Sequence, residues 1–173
     1  DIVYRIQNVD VRGIVCTPDE NMPEQVLEAQ RCCPNLTSVF IVKENKVGMI
    51  QFNEELEKTS HVLDRVDTKK TDYMLLYFTS GTSGDPKAVT HDFTYPIGHI
   101  CTAKYWHNVV NDGVHLTVAD TGWAKAAWGK IYGQWLCGSA IMVYDYDNFY
   151  ANEMLKVIEK YKVTTFCAPP TLY

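Results

Sequence analysis

With 173 residues, 46% of them hydrophobic and 21% charged, the chain has the make-up of an ordinary globular protein with a sizeable core. A net charge of −5, with no basic cluster beyond the pair Lys69-Lys70, argues against a nucleic-acid surface. No apolar run approaches the length of a membrane span.

The first residues, Asp1 to Asn8, read as a helix already under way, with Ile2, Val3 and Ile6 on one side, and not as a secretory leader. Arg12 to Cys16 is a short apolar strand. Thr17-Pro18-Asp19-Glu20 carries a helix-start signal and predicts a helix to about Cys33, stopped by Pro34-Asn35. Ser38 to Val42 is the next strand, so this is strand–helix–strand with a parallel pair. Lys43 to Gly48 is a polar turn, Phe52 to Ser60 a short charged helix, and His61 to Asp72 a polar connector.

The apolar run Tyr73 to Phe78 predicts a buried strand, and Ala88 to His91 a short one. A helix is expected from Asp92-Phe93-Thr94 to His107, with Pro96 in its first turn and His99 and His107 on its amphipathic face. Val114 to Val118 alternates like a strand. The segment after Trp123 reads as a helix to Leu136, ended at Cys137-Gly138. Its Trp123, Trp128, Tyr132 and Trp135 recur at helical spacing, for which plain core packing is the default reading. Ser139 to Tyr144 is a strand, Asn148 caps a helix from Phe149 to Tyr161, and Lys162 to Ala168 is the last strand. Strands alternating with helices predict an α/β fold with a mostly parallel sheet flanked by helices.

The six cysteines (Cys16, Cys32, Cys33, Cys101, Cys137, Cys167) show neither C-x-x-C nor Cys/His ligand spacing. They are expected to be mostly small core residues in a reducing compartment, the cytoplasm or one such as the mitochondrial matrix, and no metal site is expected. No Ser/His/Asp pattern supports a hydrolase triad.

One stretch carries chemistry. The strand ending at Phe78 runs into Thr79-Ser80-Gly81-Thr82-Ser83-Gly84-Asp85-Pro86-Lys87-Ala88. Glycines let the backbone take positive φ and approach a ligand closely. Hydroxyls and backbone N–H groups in such a turn can converge on an anion, and Lys87 adds a mobile positive charge. The spacing is neither G-x-x-x-x-G-K-[ST] nor G-x-G-x-x-G. A solvated loop joining two strands is the bland alternative for this composition.

The order T-S-G-T-S-G-x-P-K resembles the phosphate-binding motif of the adenylate-forming superfamily, with Ser83 in place of a usual Thr and Ala88 in place of a usual Gly. Asp120-Thr121-Gly122-Trp123 resembles the D-x-G-W block of acyl-CoA synthetases of the acetate and medium-chain fatty-acid type, and Phe166 to Tyr173 looks like the strand and following helix start in that group. The likeness spans nearly the whole chain. It implies an enzyme that joins a carboxylate to ATP as an acyl-adenylate with loss of pyrophosphate, then passes the acyl group to coenzyme A. It also implies that Thr79, Ser80, Gly81, Thr82, Ser83, Gly84 and Lys87 bind the β and γ phosphates, and that Trp123 borders the acyl pocket. Ala124 and Lys125 would face the same pocket, or Lys125 would snorkel outward to spare its charge.

The family's adenine and ribose motifs, its Mg²⁺-binding acid and its small C-terminal domain with the catalytic lysine correspond to sequence beyond Tyr173. Residues 1–173 are therefore expected to form part of the large N-terminal domain, without catalytic residues of their own and inactive in isolation. Self-association through exposed apolar surface is expected. Two other readings stay open: another adenylate-forming enzyme, such as an aryl-CoA ligase or a peptide-synthetase adenylation domain, and a non-catalytic nucleotide-binding module.

Overall fold

The computed structural model describes residues 1–79, 84–146 and 148–172. The chain divides into two compact units, one formed by Asp1–Asp67 with Phe78–Val89 and the other by Thr68–Tyr77 with Thr90–Tyr173.

The first unit opens with helix α1 (Ile2–Val9), closed by Asp10 in the left-handed region at φ 53°. Strand β1 (Gly13–Cys16), helix α2 (Met22–Cys32) and strands β2 (Ser38–Ile41) and β3 (Ile50–Gln51) follow, then helix α3 (Phe52–Lys58). The sheet order is β1-β2-β3, parallel throughout, with Gly13 opposite Ser38 and Phe40 opposite Ile50. Ile6 of α1 and Val26 and Ala29 of α2 bury their side chains with Cys33, Leu36, Val39 and Ile41, so both helices close over the inner face of β2. The strand–helix–strand expectation holds. The helix start does not: α2 begins at Met22, with Asn21 as its cap and Pro23 in the first turn. Glu20 stands at φ 49°, which breaks the helical path that Thr17-Pro18 was expected to open. Strand β3 was not anticipated, because two residues are too few to show a period.

Strands β4 (Tyr73–Thr79) and β5 (Lys87–Asp92) pair as a two-stranded sheet through which the chain passes from one unit to the other. The expected burial of β4 is not met. Tyr73 is 80% exposed and Leu76 37%, as befits a ribbon with no third described strand paired to it.

In the second unit, helix α4 (Tyr95–Cys101) runs without a break into a π turn, Thr102–Trp106. Strand β6 (Val114–Thr117) is central in a parallel sheet of order β7-β6-β8, with β7 at Ala140–Met142 and β8 at Thr165–Cys167. The expected helix after Trp123 is present as α5 (Lys125–Ala127), a second π turn (Trp128–Tyr132) and α6 (Gly133–Leu136). Gly138 at φ 76° ends it, as expected of a glycine there. Helix α7 (Ala151–Lys160) is capped by Tyr150 and starts three residues later than the predicted cap, Asn148. Its Met154 and Ile158 pack with Leu116, Val118, Phe149 and Phe166 on the outer side of β6.

The α/β class with parallel sheets flanked by helices is as predicted. Among the described residues the strands form three sheets, where one had been expected. All six cysteines are free, but only Cys16 and Cys33 are buried; Cys32 and Cys101 are exposed, contrary to the expectation of core residues.

Candidate functional site

The predicted phosphate loop lies in the first unit, where β4 ends and β5 begins. Ser80, Gly81, Thr82 and Ser83 lie outside the described residues. On the flanks, Thr79 Oγ donates to the Lys87 carbonyl at 3.5 Å, a long bond that closes the base of the loop. Gly84 has φ 90°, a conformation L side chains rarely adopt, and among the described residues nothing lies within 4 Å of the place a Cβ would occupy. Open space at that point is what close approach of a ligand to backbone requires. Thr79, Gly84 and Lys87 are all exposed.

Helix α1 contacts residues on both flanks of the loop. Tyr4 Oη donates to the Pro86 carbonyl at 3.0 Å. The Arg5 guanidinium lies 4.9 Å from the centre of the Phe78 ring, and Asp1 holds it there through two bonds of 3.0 and 3.1 Å.

The predicted acyl-side residues lie in the second unit. Trp123 and Lys125 line an open cleft of about 470 Å³ with Val118, Asp120, Tyr146 and residues 169–172. Ala124 is not among the lining residues; its carbonyl accepts from Ala127 and Trp128 N–H groups in the helix start. Asp120 caps the approach, its Oδ1 accepting from Gly122 N–H at 2.7 Å, so the D-x-G spacing folds into a local turn that presents Trp123. Lys125 Nζ lies 5.9 Å from the centre of the Trp106 ring, a partner that offsets its charge in apolar surroundings. The core reading fails for two of the tryptophans: Trp123 is 73% exposed and Trp135 63%.

Sequence reasoning missed one feature of this unit. Its two π turns meet in a run of stacked rings. Trp128 stacks on His99 at 5.5 Å, on Trp106 at 5.8 Å and on His107 at 6.2 Å. His91, Tyr95 and His99, four residues apart, continue it toward Tyr77 and Tyr132. The four-residue spacing of Tyr95 and His99, both in α4, was the available signal. Beneath lies His115, wholly buried, bridging Thr165 Oγ1 at 2.7 Å and Thr117 Oγ1 at 2.8 Å. The side-chain amide of buried Gln134 lies 3.0 Å from His107 Nδ1, and its Nε2 donates to the Gly129 carbonyl at 3.2 Å. Burial first, then the nearby His115 and Lys125 charges, pushes His107 down to about 4. Burial lowers His99 and His115 too, and raises the Tyr95 hydroxyl. These rings pack the helices of the second unit against one another.

The whole chain, residues 1–173, matches the family of AMP-binding enzymes, and the protein belongs to that family. It is 31% identical over 175 residues to the mitochondrial acyl-coenzyme A synthetase ACSM3 of Mus musculus and 33% identical over 175 residues to the mitochondrial acyl-coenzyme A synthetase ACSM4 of Rattus norvegicus. In both cases all of this chain is matched, and it spans 30% of the relative's length. The fold is similar to that of the Brucella canis acyl-CoA synthetase, at TM-score 0.81 and 20% identity over 99% of this chain and 31% of that one. It is also similar to the anthranilate CoA ligase AuaEII in complex with anthranoyl-AMP, at TM-score 0.80 and 20% identity over 95% of this chain and 32% of that one.

Proposed function

We propose that the chain is part of an AMP-forming acyl-CoA synthetase that activates a carboxylic acid with ATP and transfers it to coenzyme A. The observation that carries the reading is the hydroxyl- and glycine-rich stretch between β4 and β5, entered at Thr79 and left through Gly84 and Lys87, in a chain of the AMP-binding family. In this reading Thr79, Ser80, Gly81, Thr82, Ser83, Gly84 and Lys87 hold the β and γ phosphates. Hydroxyls and amides aimed at oxygens that gain charge as pyrophosphate departs lower the barrier at the α phosphate, and Lys87 neutralises the leaving group. Trp123 and Lys125 form the wall against which the acyl group lies, with Ala124 beside them.

ATP, coenzyme A and the acid are the substrates. In this reading Mg²⁺ arrives on the ATP phosphates. The named relatives are mitochondrial, and six free cysteines suit a reducing compartment such as the matrix. In this reading residues 1–173 act as part of the N-terminal domain of a longer enzyme and do not turn over by themselves, and their exposed Trp123, Trp135 and Val143 favour self-association. An aryl-CoA ligase is the second reading, supported by the fold shared with an anthranilate CoA ligase.

The test is pyrophosphate release by the intact gene product with Mg-ATP, coenzyme A and a panel of alkanoic and aromatic acids. Thioester formation with one class of acid is expected, and Lys87→Ala should reduce kcat/KM for ATP by about 100-fold, the scale of removing one transition-state donor. Thioester formation unchanged in Lys87→Ala would refute the role assigned to the loop.

A further inference from the structure

We infer that Tyr4 and Arg5 of α1 are positioning residues for the phosphate loop. The inference rests on the function proposed above. The loop is entered at Phe78-Thr79 and left at Pro86-Lys87, and α1 grips one residue on each side. Tyr4 donates to the Pro86 carbonyl at 3.0 Å across 82 residues of sequence, in a half-buried setting. That carbonyl belongs to the peptide plane whose other end is the Lys87 N–H. Holding the oxygen fixes the rotation of the plane, and with it the direction of the Lys87 amide and the origin of its side chain.

Arg5 works on the entry strand. Its guanidinium lies 4.9 Å from the centre of the Phe78 ring, and two solvent-exposed bonds join it to Asp1. The ring contact ties the cation to the entry strand. Between the two contacts lies the 3.5 Å bond from Thr79 to Lys87. That bond is too long to hold the loop mouth by itself. A two-stranded ribbon is a marginal support in water, so a loop at its end needs an outside brace if its amides are to be preset for an anion. Helix α1 is placed to supply it. Preset donors avoid the ordering cost of binding and should appear as tighter ATP binding, not as altered binding of the acid.

The experiment uses the intact gene product with Tyr4→Phe and Arg5→Ala. Tyr4→Phe keeps the ring and removes the one hydroxyl. Hydrogen exchange at residues 84–88 in the absence of ligand is expected to speed up in Tyr4→Phe. The Kd and KM for Mg-ATP should rise about five-fold, the worth of one ordinary hydrogen bond, with KM for the acid unchanged. Arg5→Ala should act the same way through the entry strand, while its exposed pair with Asp1 contributes little itself. Unchanged exchange in both variants overturns the brace. Faster exchange with unchanged ATP affinity overturns the positioning role and leaves a purely structural contact. If the unaltered protein fails to bind Mg-ATP, the proposed function falls and the positioning role with it, while the exchange measurement still reports whether the brace exists.

Discussion

Two glycines in helices of the second unit should respond to the same substitution with opposite sign. Gly133 begins α6 and faces α4, where an added Cβ would lie 2.2 Å from the His99 carbonyl oxygen and 2.8 Å from Ala103 Cβ. The nearest atom is backbone, so no side chain can swing aside. A carbon ordinarily sits about 3.3 Å or more from a carbonyl oxygen, so Gly133→Ala must push the helices apart by about 1 Å. Overpacking of this kind costs roughly 1–3 kcal/mol, and alanine's better helix propensity returns about 1. The balance is a net loss of up to about 2 kcal/mol, which at about 2–4 °C per kcal/mol is a fall in Tm of up to roughly 8 °C for a chain of this size. Gly98 lies within α4, with nothing within 4 Å of its Cβ position. Gly98→Ala should therefore gain up to about 1 kcal/mol and raise Tm by about 2–4 °C. Calorimetry or urea unfolding of the two variants beside the parent protein is the assay. If Gly133→Ala is as stable as Gly98→Ala, the close approach of α4 and α6 is wrong.

The buried histidines set a pH dependence. His107 titrates near 6.5 when unfolded and at about 4 when folded, so between those values the unfolded chain takes up a proton that the folded one refuses. The stability from its neutral form is complete above pH 6.5 and is lost as pH falls toward 4, at up to about 1.4 kcal/mol per pH unit. His107→Phe keeps a ring beside Trp106 and Trp128, and Gln134 retains its bond to the Gly129 carbonyl. Urea unfolding at pH 7, 6 and 5 should show a shallower loss in the variant, and an equal slope would contradict the burial of the ring. Thiol labelling separates the cysteines: an iodoacetamide pulse under native conditions should modify Cys32 and Cys101 first, with Cys16 and Cys33 reacting only after unfolding. Labelling of Cys16 or Cys33 at the rate of Cys101 would show that the first unit's core is open.

What the sequence disclosed about the fold follows from how far each signal is local. The run Ser38 to Val42 is apolar after its first residue, as suits a central strand covered on both faces, while Val114 to Val118 shows a strand's alternation, and both were found. Strand β3 is two residues long and exists only because it pairs with β2, a partner that no pattern in its own sequence names. The start of α2 went wrong through a choice between two prolines. Pro18 and Pro23 both fit a first helical turn, and the left-handed bend at Glu20 that decides for Pro23 is a property of the folded chain. Tyr73 to Phe78 looked buried because hydrophobicity alone cannot count the strands beside it.

The candidate site divides along the same line. The proposed phosphate loop could be suggested from sequence because its residue types are consecutive: hydroxyls, glycines and a lysine. The brace from α1 was not legible, because Tyr4 and Pro86 are 82 positions apart and neither residue type announces a contact. The tryptophans show the converse error. Trp123, Trp128, Tyr132 and Trp135 share a helical period, and period alone says that residues lie near one another on a helix, not which side faces a neighbour. Close packing of α6 on α4 at Gly133 turns Trp128 into the stack with His99 and His107, while Trp123, held out by the Asp120 turn, stays exposed. An exposed indole on a cleft wall next to a lysine costs apolar hydration that the folded chain does not recover. An apolar ligand covering the ring would remove that cost, which is why the D-x-G-W block is proposed to serve the acyl group and not the core.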